Sequence, residues 1–159
     1  MNETTWGVIA TWRMAHDGVK KASQLLQTNG TSGDAVEALI KTVEAYPYYK
    51  SVGYGGLPNE NGEVEMDAAF MDGDTLAQGA VAGIHQVLHA VSVARALSHD
   101  HYNSFLVGQG ATQYAQLNGF EMRNMLTDRA KKRWEKRRAE LADAKIKPYD
   151  GHDTAVSYT

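Results

Sequence analysis

Near its carboxyl end the chain carries Gly151-His152-Asp153-Thr154, which sets a threonine hydroxyl beside a carboxylate and an imidazole. That combination suits a threonine nucleophile, since a hydroxyl becomes reactive when a base sits within reach. The following Ala155-Val156-Ser157 reads as a loop turning into a strand. The pattern points to Thr154 as a nucleophile that acts once the Asp153–Thr154 peptide bond is cut. The same tripeptide is also what an N-cap or an Asx turn looks like.

Other residues could do chemistry too. His85 and His89 are four apart, with His99 and His101 nearby, and such a pair on a helix can hold zinc. No glutamate follows His85 as the zinc-protease pattern requires, and the segment straddles a strand end, so a structural role is expected. Gly108-Gln109-Gly110 joins a strand to a helix, the place where phosphates bind. The third position of a dinucleotide fingerprint is Gln113, so a tight structural turn is expected. Asp67 and Asp72 flank Ala68–Met71. Paired carboxylates can do acid–base work, but near strand ends they are expected to hold turns. Arg123 to Lys147 carries ten of the sixteen Lys and Arg residues, concentrated in Arg129–Arg138 around Trp134. Such a helix could meet nucleic acid or an anionic membrane. Asp128, Glu135, Glu140 and Asp143 dilute its field, so a solvated helix anchored by Trp134 is expected.

The elements that must position these residues follow from periodicity. Trp6–Trp12 is β-branched and aromatic and predicts a first strand. Ala15–Thr28 carries a helical stripe, Val19, Ala22, Leu25 and Leu26, stopping at Asn29-Gly30. Ser32-Gly33-Asp34 opens a second helix with Ala35, Val36, Leu39, Ile40 and Val43 at a period near 3.6, ended by Pro47. Ser51–Gly62 holds four glycines and a proline, a fixed tight path, and Asn61-Gly62 is a hairpin signal. Glu63–Met71 predicts a strand, and the small apolar run Leu76–Ile84 predicts one buried on both faces. Val91–Leu97 predicts a helix, Ser104–Val107 a strand, Ala111–Leu117 a helix closed by Asn118-Gly119, and Thr127–Ala144 a long polar helix. A sheet between helical layers follows.

Composition narrows the class. The 159 residues are 43% hydrophobic and 22% charged with a formal net charge of −3, which suits one globular domain and no dedicated nucleic-acid binder. With no cysteine, disulfides and thiolate metal sites are excluded. Met1-Asn2-Glu3 does not open a signal peptide, and no apolar run is long enough to span a bilayer. A cytoplasmic protein without a membrane partner is the expectation.

The chain resembles the α-half of a glycosylasparaginase (aspartylglucosaminidase), within the N-terminal-nucleophile (Ntn) hydrolase superfamily. The residues that carry the resemblance run in order along almost the whole chain. They are Ala10-Thr11-Trp12, Gly33-Asp34-Ala35-Val36-Glu37, Ser51–Asn59, Met66-Asp67-Ala68 through Met71-Asp72-Gly73, Gly79–Ala82, Ser92-Val93-Ala94-Arg95, Leu106-Val107-Gly108 with Gly110-Ala111, Gly119-Phe120 and Gly151-His152-Asp153-Thr154. Thr11-Trp12 ends the first run where the plant-type branch has His-Gly-Gly-Ala-Gly, which favours the glycosylasparaginase branch. Three departures stand out. No glycine follows in Thr154-Ala155-Val156, His89-Ala90 replaces a typical Asn-Pro, and Arg13-Met14 follows Trp12.

The resemblance implies an α+β fold, the four-layer αββα sandwich of Ntn hydrolases, of which this chain is roughly the first half. It implies that 1–153 is the α-half of one domain and that 154–159 starts the β-half at the nucleophile. It implies self-cleavage before Thr154 with His152 and Asp153 assisting, then hydrolysis of a β-aspartyl amide by Thr154, with Trp12 walling the substrate pocket. No metal and no cofactor are implied, and the partners are the small-molecule substrate and the β-half, in an (αβ)2 assembly. Substrate-gripping and oxyanion residues would come from the β-half, so the chain by itself is expected to be inactive. A second reading is a non-catalytic truncated remnant, or a binding protein of the same fold using the basic helix.

Overall fold

Helix periodicity and turn chemistry place most elements where the sequence puts them. The computed structural model describes residues 5–100 and 102–143, so His101 and the processing-site residues His152, Asp153 and Thr154 lie outside the described residues. Helix α1 is His16–Gln27 and α2 is Ser32–Glu44. Asn29 adopts a left-handed backbone (φ 63°) and the Gly30 N–H donates to the Leu25 carbonyl at 2.8 Å, which ends α1. Thr31 starts α2 with a capping box: its hydroxyl accepts from the Asp34 N–H, and the Asp34 carboxylate accepts from the Thr31 N–H. Ala22, Ala35, Leu39 and Val43 bury between the two helices. Gly18 allows the close crossing, because a Cβ there would press on the Leu39 carbonyl.

Strand β1, Glu65–Met71, pairs antiparallel with β2, Gln78–His85. Asp72 shapes the turn between them: its carboxylate accepts from the Asp74 and Thr75 N–H groups and from the Thr75 hydroxyl. Asp67 has a related role. It accepts the Gly83 N–H at 2.7 Å where β2 carries an extra residue opposite β1 and Gly83 turns to φ 58°. Both aspartates are therefore structural, as the sequence suggests. Helix α3, Ala90–Leu97, carries the chain over to β3, Phe105–Val107, which lies parallel to β2. Helix α4, Gly108–Leu117, follows at once, and α5 is Asp128–Asp143.

One face of the β1-β2-β3 sheet is packed. Met66, Val81 and Ile84 pack with Val93, Leu97, Ala111 and Ala115 from α3 and α4, and Phe70 lies under the Arg95 guanidinium. The other face bears Ala69, Ala80 and Phe105 in one row across the three strands, with Met71, Ala82 and Val107 beside them. Phe105 and Val107 remain 59% and 58% exposed. The expectation that β2 is buried on both faces is thus corrected. Gly79, Val81 and Ile84 are buried, whereas Ala80 and Ala82 on the bare face are only half covered.

Two further expectations change. Residues 6–12 form no strand; they have no ladder partner among the described residues, and Ile9 is 94% exposed. β-rich composition gives a segment the preference to be a strand, but only a neighbouring edge completes the ladder. At Asn61-Gly62 the turn forms, with Gly62 at φ 87° and the Asn59 side chain accepting from the Asn61 and Glu63 N–H groups. It is not a β-hairpin, because no strand precedes it among the described residues.

Helix α5 touches the body through buried Ala130 and half-buried Trp134, whose ring lies against Gly62. Its Lys and Arg residues point to solvent, with Arg129 stacked over Tyr48 and Arg138 over Trp134. No helix among the described residues is long and apolar enough to cross a membrane.

Candidate active site

Trp12 is the one nominated site residue that the structure describes. The chain reaches it in extended conformation (φ −115°, ψ 139°) and then tightens into a 3-10 turn, Arg13–Ala15, closed by the Ala15 N–H donating to the Trp12 carbonyl at 2.9 Å. The indole is left 62% exposed. A ring of that size in water is an apolar wall waiting for cover. The segment is pinned on both sides of Trp12. Val8 and Met14 pack on the α1–α2 core together with Tyr49 and Val52, and the Tyr49 hydroxyl donates to the Met14 carbonyl at 3.0 Å. The start of the glycine-rich loop and the Trp12 segment thus share one cluster.

The loop itself is tied to the end of α2. The Tyr54 N–H donates to the Glu44 carbonyl at 2.7 Å, the Gly55 N–H to the Met125 carbonyl at 2.8 Å, and the Leu57 N–H to the Lys50 carbonyl at 2.8 Å. Gly53 has φ 71°, and a side chain there would overlap the Glu44 backbone. Only glycine satisfies both demands.

Glu44 is a buried acid that sequence inspection passes over, since it reads as one more polar residue of α2. It is 2% exposed, and its carboxylate accepts from the Val91 N–H at 3.0 Å and from His89 Nδ1 at 3.2 Å. A carboxylate thereby caps α3 from another helix, where the N–H groups and the helix dipole favour negative charge. His89 is accordingly engaged with Glu44 and not with His85, whose Nδ1 lies 3.4 Å from the Gly83 carbonyl. No group of three His, Asp or Glu side chains among the described residues is placed to hold a metal ion. The separate tight turn expected at Gly108-Gln109-Gly110 does not form; these are the first residues of α4, which follows β3 directly. Gly108 takes φ 54°, and the buried Thr112 hydroxyl bonds both the N–H and the carbonyl of His85, locking α4 to β2.

A second polar group joins α2 to α3. Arg95 donates to Asp34 at 2.8 Å and to Glu37, and the Ser92 hydroxyl also donates to Glu37. The Thr31 hydroxyl and the Arg95 guanidinium hold the Asp34 carboxyl below its ordinary value. Burial pushes Glu37 up, but the Ser92 hydroxyl and Arg95 outweigh it and hold this carboxyl low as well. Lowered folded values mean stability that is present above the ordinary carboxylate range and lost as pH falls through it. Arg95→Gln is expected to cost about 2 kcal/mol at neutral pH. The gap between wild type and variant should shrink below about pH 4.5, as the carboxylates protonate. Urea melts at pH 7, 5 and 3.5 check this; a gap constant across that range would refute it. Asp34, Glu37 and Arg95 also border an open cleft of about 600 Å³ with Lys21, Lys41 and His89.

The described residues therefore supply a frame and a wall, while the nominated nucleophile, Thr154, and its neighbours His152 and Asp153 lie outside them. Comparison with known families bears on the whole chain. Residues 4–157 match the family described as asparaginase. The chain belongs to that asparaginase family. The resemblance to glycosylasparaginase-like Ntn hydrolases holds, and the match runs through Thr154.

Relatives within the family carry more than one name. The N(4)-(beta-N-acetylglucosaminyl)-L-asparaginase of Elizabethkingia miricola is 35% identical over 150 residues, 92% of this chain and 43% of that protein. A plant-type L-asparaginase of Thermococcus kodakarensis is 41% identical over 114 residues, 72% of this chain and 37% of its own length. An isoaspartyl peptidase/L-asparaginase of Mus musculus is 33% identical over 134 residues, 80% and 41%. The chain spans about two fifths of the length of these curated relatives. As a member of the asparaginase family, it folds here as an α+β unit of helices and one three-stranded sheet. Two of the motifs that carry the resemblance, Gly33–Glu37 and Ser92–Arg95, meet in the Asp34–Glu37–Ser92–Arg95 network.

Proposed function

We propose that this chain is the α-half, with the first β-half residues, of a self-processing amidohydrolase that cleaves a β-aspartyl amide bond. The observation that carries the reading is the family match across 4–157, which includes Gly151-His152-Asp153-Thr154. The names borne by the relatives point to N4-glycosylated asparagine, asparagine or isoaspartyl peptides as substrates. All three share one aspartyl half.

The chemistry proceeds in two stages. The Thr154 hydroxyl attacks the Asp153 carbonyl, the acyl group moves from nitrogen to oxygen, and water hydrolyses the ester. His152 and Asp153 hold and polarise the scissile unit. The freed α-amine of Thr154, with an ordinary pKa of about 8, is then a base near neutral pH and takes the proton of its own hydroxyl. The hydroxyl attacks the substrate's side-chain amide, the amine or amino-sugar leaves with a proton, and water releases aspartate from the β-aspartyl ester. Trp12 walls the pocket, and its exposed indole is free to receive substrate.

The bare sheet face supports the architecture. Phe105, Val107, Met71 and Ala69 form an apolar surface on an otherwise packed sheet. A second sheet stacked there would complete a four-layer αββα sandwich, with 1–153 as the first half and the residues from Thr154 opening the second. The Trp6–Trp12 segment, strand-like in composition, would find its ladder partner in that half. An (αβ)2 assembly follows as the proposed mature form.

The test is expression from the complete reading frame, followed by a denaturing gel and N-terminal sequencing of the smaller fragment. A fragment beginning at Thr154, with release of aspartate from N4-(N-acetylglucosaminyl)-asparagine, asparagine or a β-aspartyl dipeptide, is the expected result. A single stable band with no hydrolysis would overturn the proposal in favour of a non-catalytic member of the fold.

A further inference from the structure

We propose that Glu44 and His89 are positioning residues for the substrate pocket: their buried pair fixes where the glycine loop, and through it Trp12, stands. The proposal rests on the reading of Trp12 as a pocket wall. Helices α2 and α3 are joined by two polar ties. One, Asp34 and Glu37 with Arg95 and Ser92, sits toward the start of α2; the other, Glu44 with His89 and Val91, sits at its end. Only the second tie adjoins the loop that leads to Trp12.

Glu44 works as a joint with two arms. Its carboxylate, 3% exposed, grips the start of α3 through Val91 and His89, and α3 is itself buried on the sheet through Val91, Val93, Ala94 and Leu97. Its backbone carries the loop. The Glu44 carbonyl accepts from Tyr54, and Gly53 lies against that same carbonyl too closely for any side chain. From Gly53 the chain leads back to Val52 and Tyr49, which hold Met14 by packing and by the Tyr49 hydroxyl. The linkage therefore runs from the sheet through α3, Glu44 and the loop to the turn that follows Trp12. A carboxylate stripped of one partner in such a buried place is costly and shifts toward water or another donor. A wall that touches substrate alike before and during the reaction changes KM more than kcat when it shifts.

The test compares variants of the full-length protein in hydrolysis of N4-(N-acetylglucosaminyl)-asparagine. His89→Phe keeps a ring but leaves Glu44 Oε2 without its donor. It is expected to raise KM about tenfold while kcat moves less than about twofold, because the wall shifts and the nucleophile does not. Glu44→Gln, nearly isosteric, should move KM in the same direction. His89→Asn, which restores an N–H donor, should return KM to within about threefold of wild type. Arg95→Gln is the control: it cuts the distant tie, lowers the melting temperature and leaves KM alone. Amide hydrogen exchange of the peptide spanning residues 8–15 should quicken in His89→Phe and Glu44→Gln but not in Arg95→Gln. Unchanged KM and exchange in the first two, or equal changes in Arg95→Gln, would overturn the proposal. A wild-type protein that hydrolyses none of these substrates refutes the catalytic reading separately, and the exchange comparison then still decides whether Glu44 and His89 hold the Trp12 segment.

Discussion

Thr154→Ala is expected to leave the protein as one uncut chain with no measurable amidase activity. The same hydroxyl is assigned both steps, attack on its own preceding carbonyl and attack on the substrate, so one substitution removes both. Loss of an enzyme's nucleophile costs on the order of 10⁴-fold or more in rate. Thr154→Ser keeps a hydroxyl, and after cleavage an α-amine, in nearly the same place. It should retain some cleavage and some turnover, both slower than wild type. The pair of variants, run on one denaturing gel and in one aspartate-release assay, separates the nucleophile from its surroundings. Cleavage before residue 154 in the alanine variant would sink the mechanism, since no hydroxyl would be there to perform it.

Gly79→Ala is expected to cause a large loss of stability for a single added methyl group. Gly79 lies in β2 directly beneath the last turn of α3, and a Cβ there would overlap the Ala94 carbonyl, the Ser98 N–H and the Leu97 backbone. The obstacle is main chain, which cannot rotate away as a side-chain tip can. Helix α3 would have to lift from the sheet, loosening Val93 and Leu97, both fully buried. Overpacking of this kind costs about 3 kcal/mol or more. That corresponds to a fall of roughly 6–12 °C in melting temperature for a chain of this size. Gly110→Ala is the matched control: it lies in α4 with open space around it. The alanine should be neutral or stabilise by up to about 1 kcal/mol, because alanine favours helix. Thermal melts followed by circular dichroism decide it. A Gly79→Ala protein melting within 2 °C of wild type would show that α3 can move at little cost.

The sequence was most legible where the information is local. The helical stripe of α2, Ala35, Leu39 and Val43, matches its buried face. The turn glycines, Gly53, Gly62 and Gly119, take left-handed backbones that glycine adopts without strain. Asp72 holds its turn, while Asp67 holds the bulge at Gly83. Local rules failed where a partner across space decides the outcome. Trp6–Trp12 has the composition of a strand and no edge to join among the described residues, and β2 has small residues suited to close packing but keeps one face half open. The start of α2 at Ser32 is as expected, with Thr31 as its N-cap.

The candidate site divides along the same line. The run of ordered motifs and Gly151-His152-Asp153-Thr154 belong to the sequence itself: residue types and their order name a family and nominate a nucleophile, because reactive groups are chemical identities that need no fold to be recognised. The Glu44–His89 pair belongs to the tertiary structure. The two residues are 45 positions apart, neither has a helical or strand partner that would announce the other, and each taken singly reads as an ordinary polar residue. Only the packing of α2 on α3 removes water from the carboxylate, makes the imidazole and the Val91 N–H its sole visible partners among the described residues, and turns an acid at a helix end into the joint between the sheet and the loop beside Trp12.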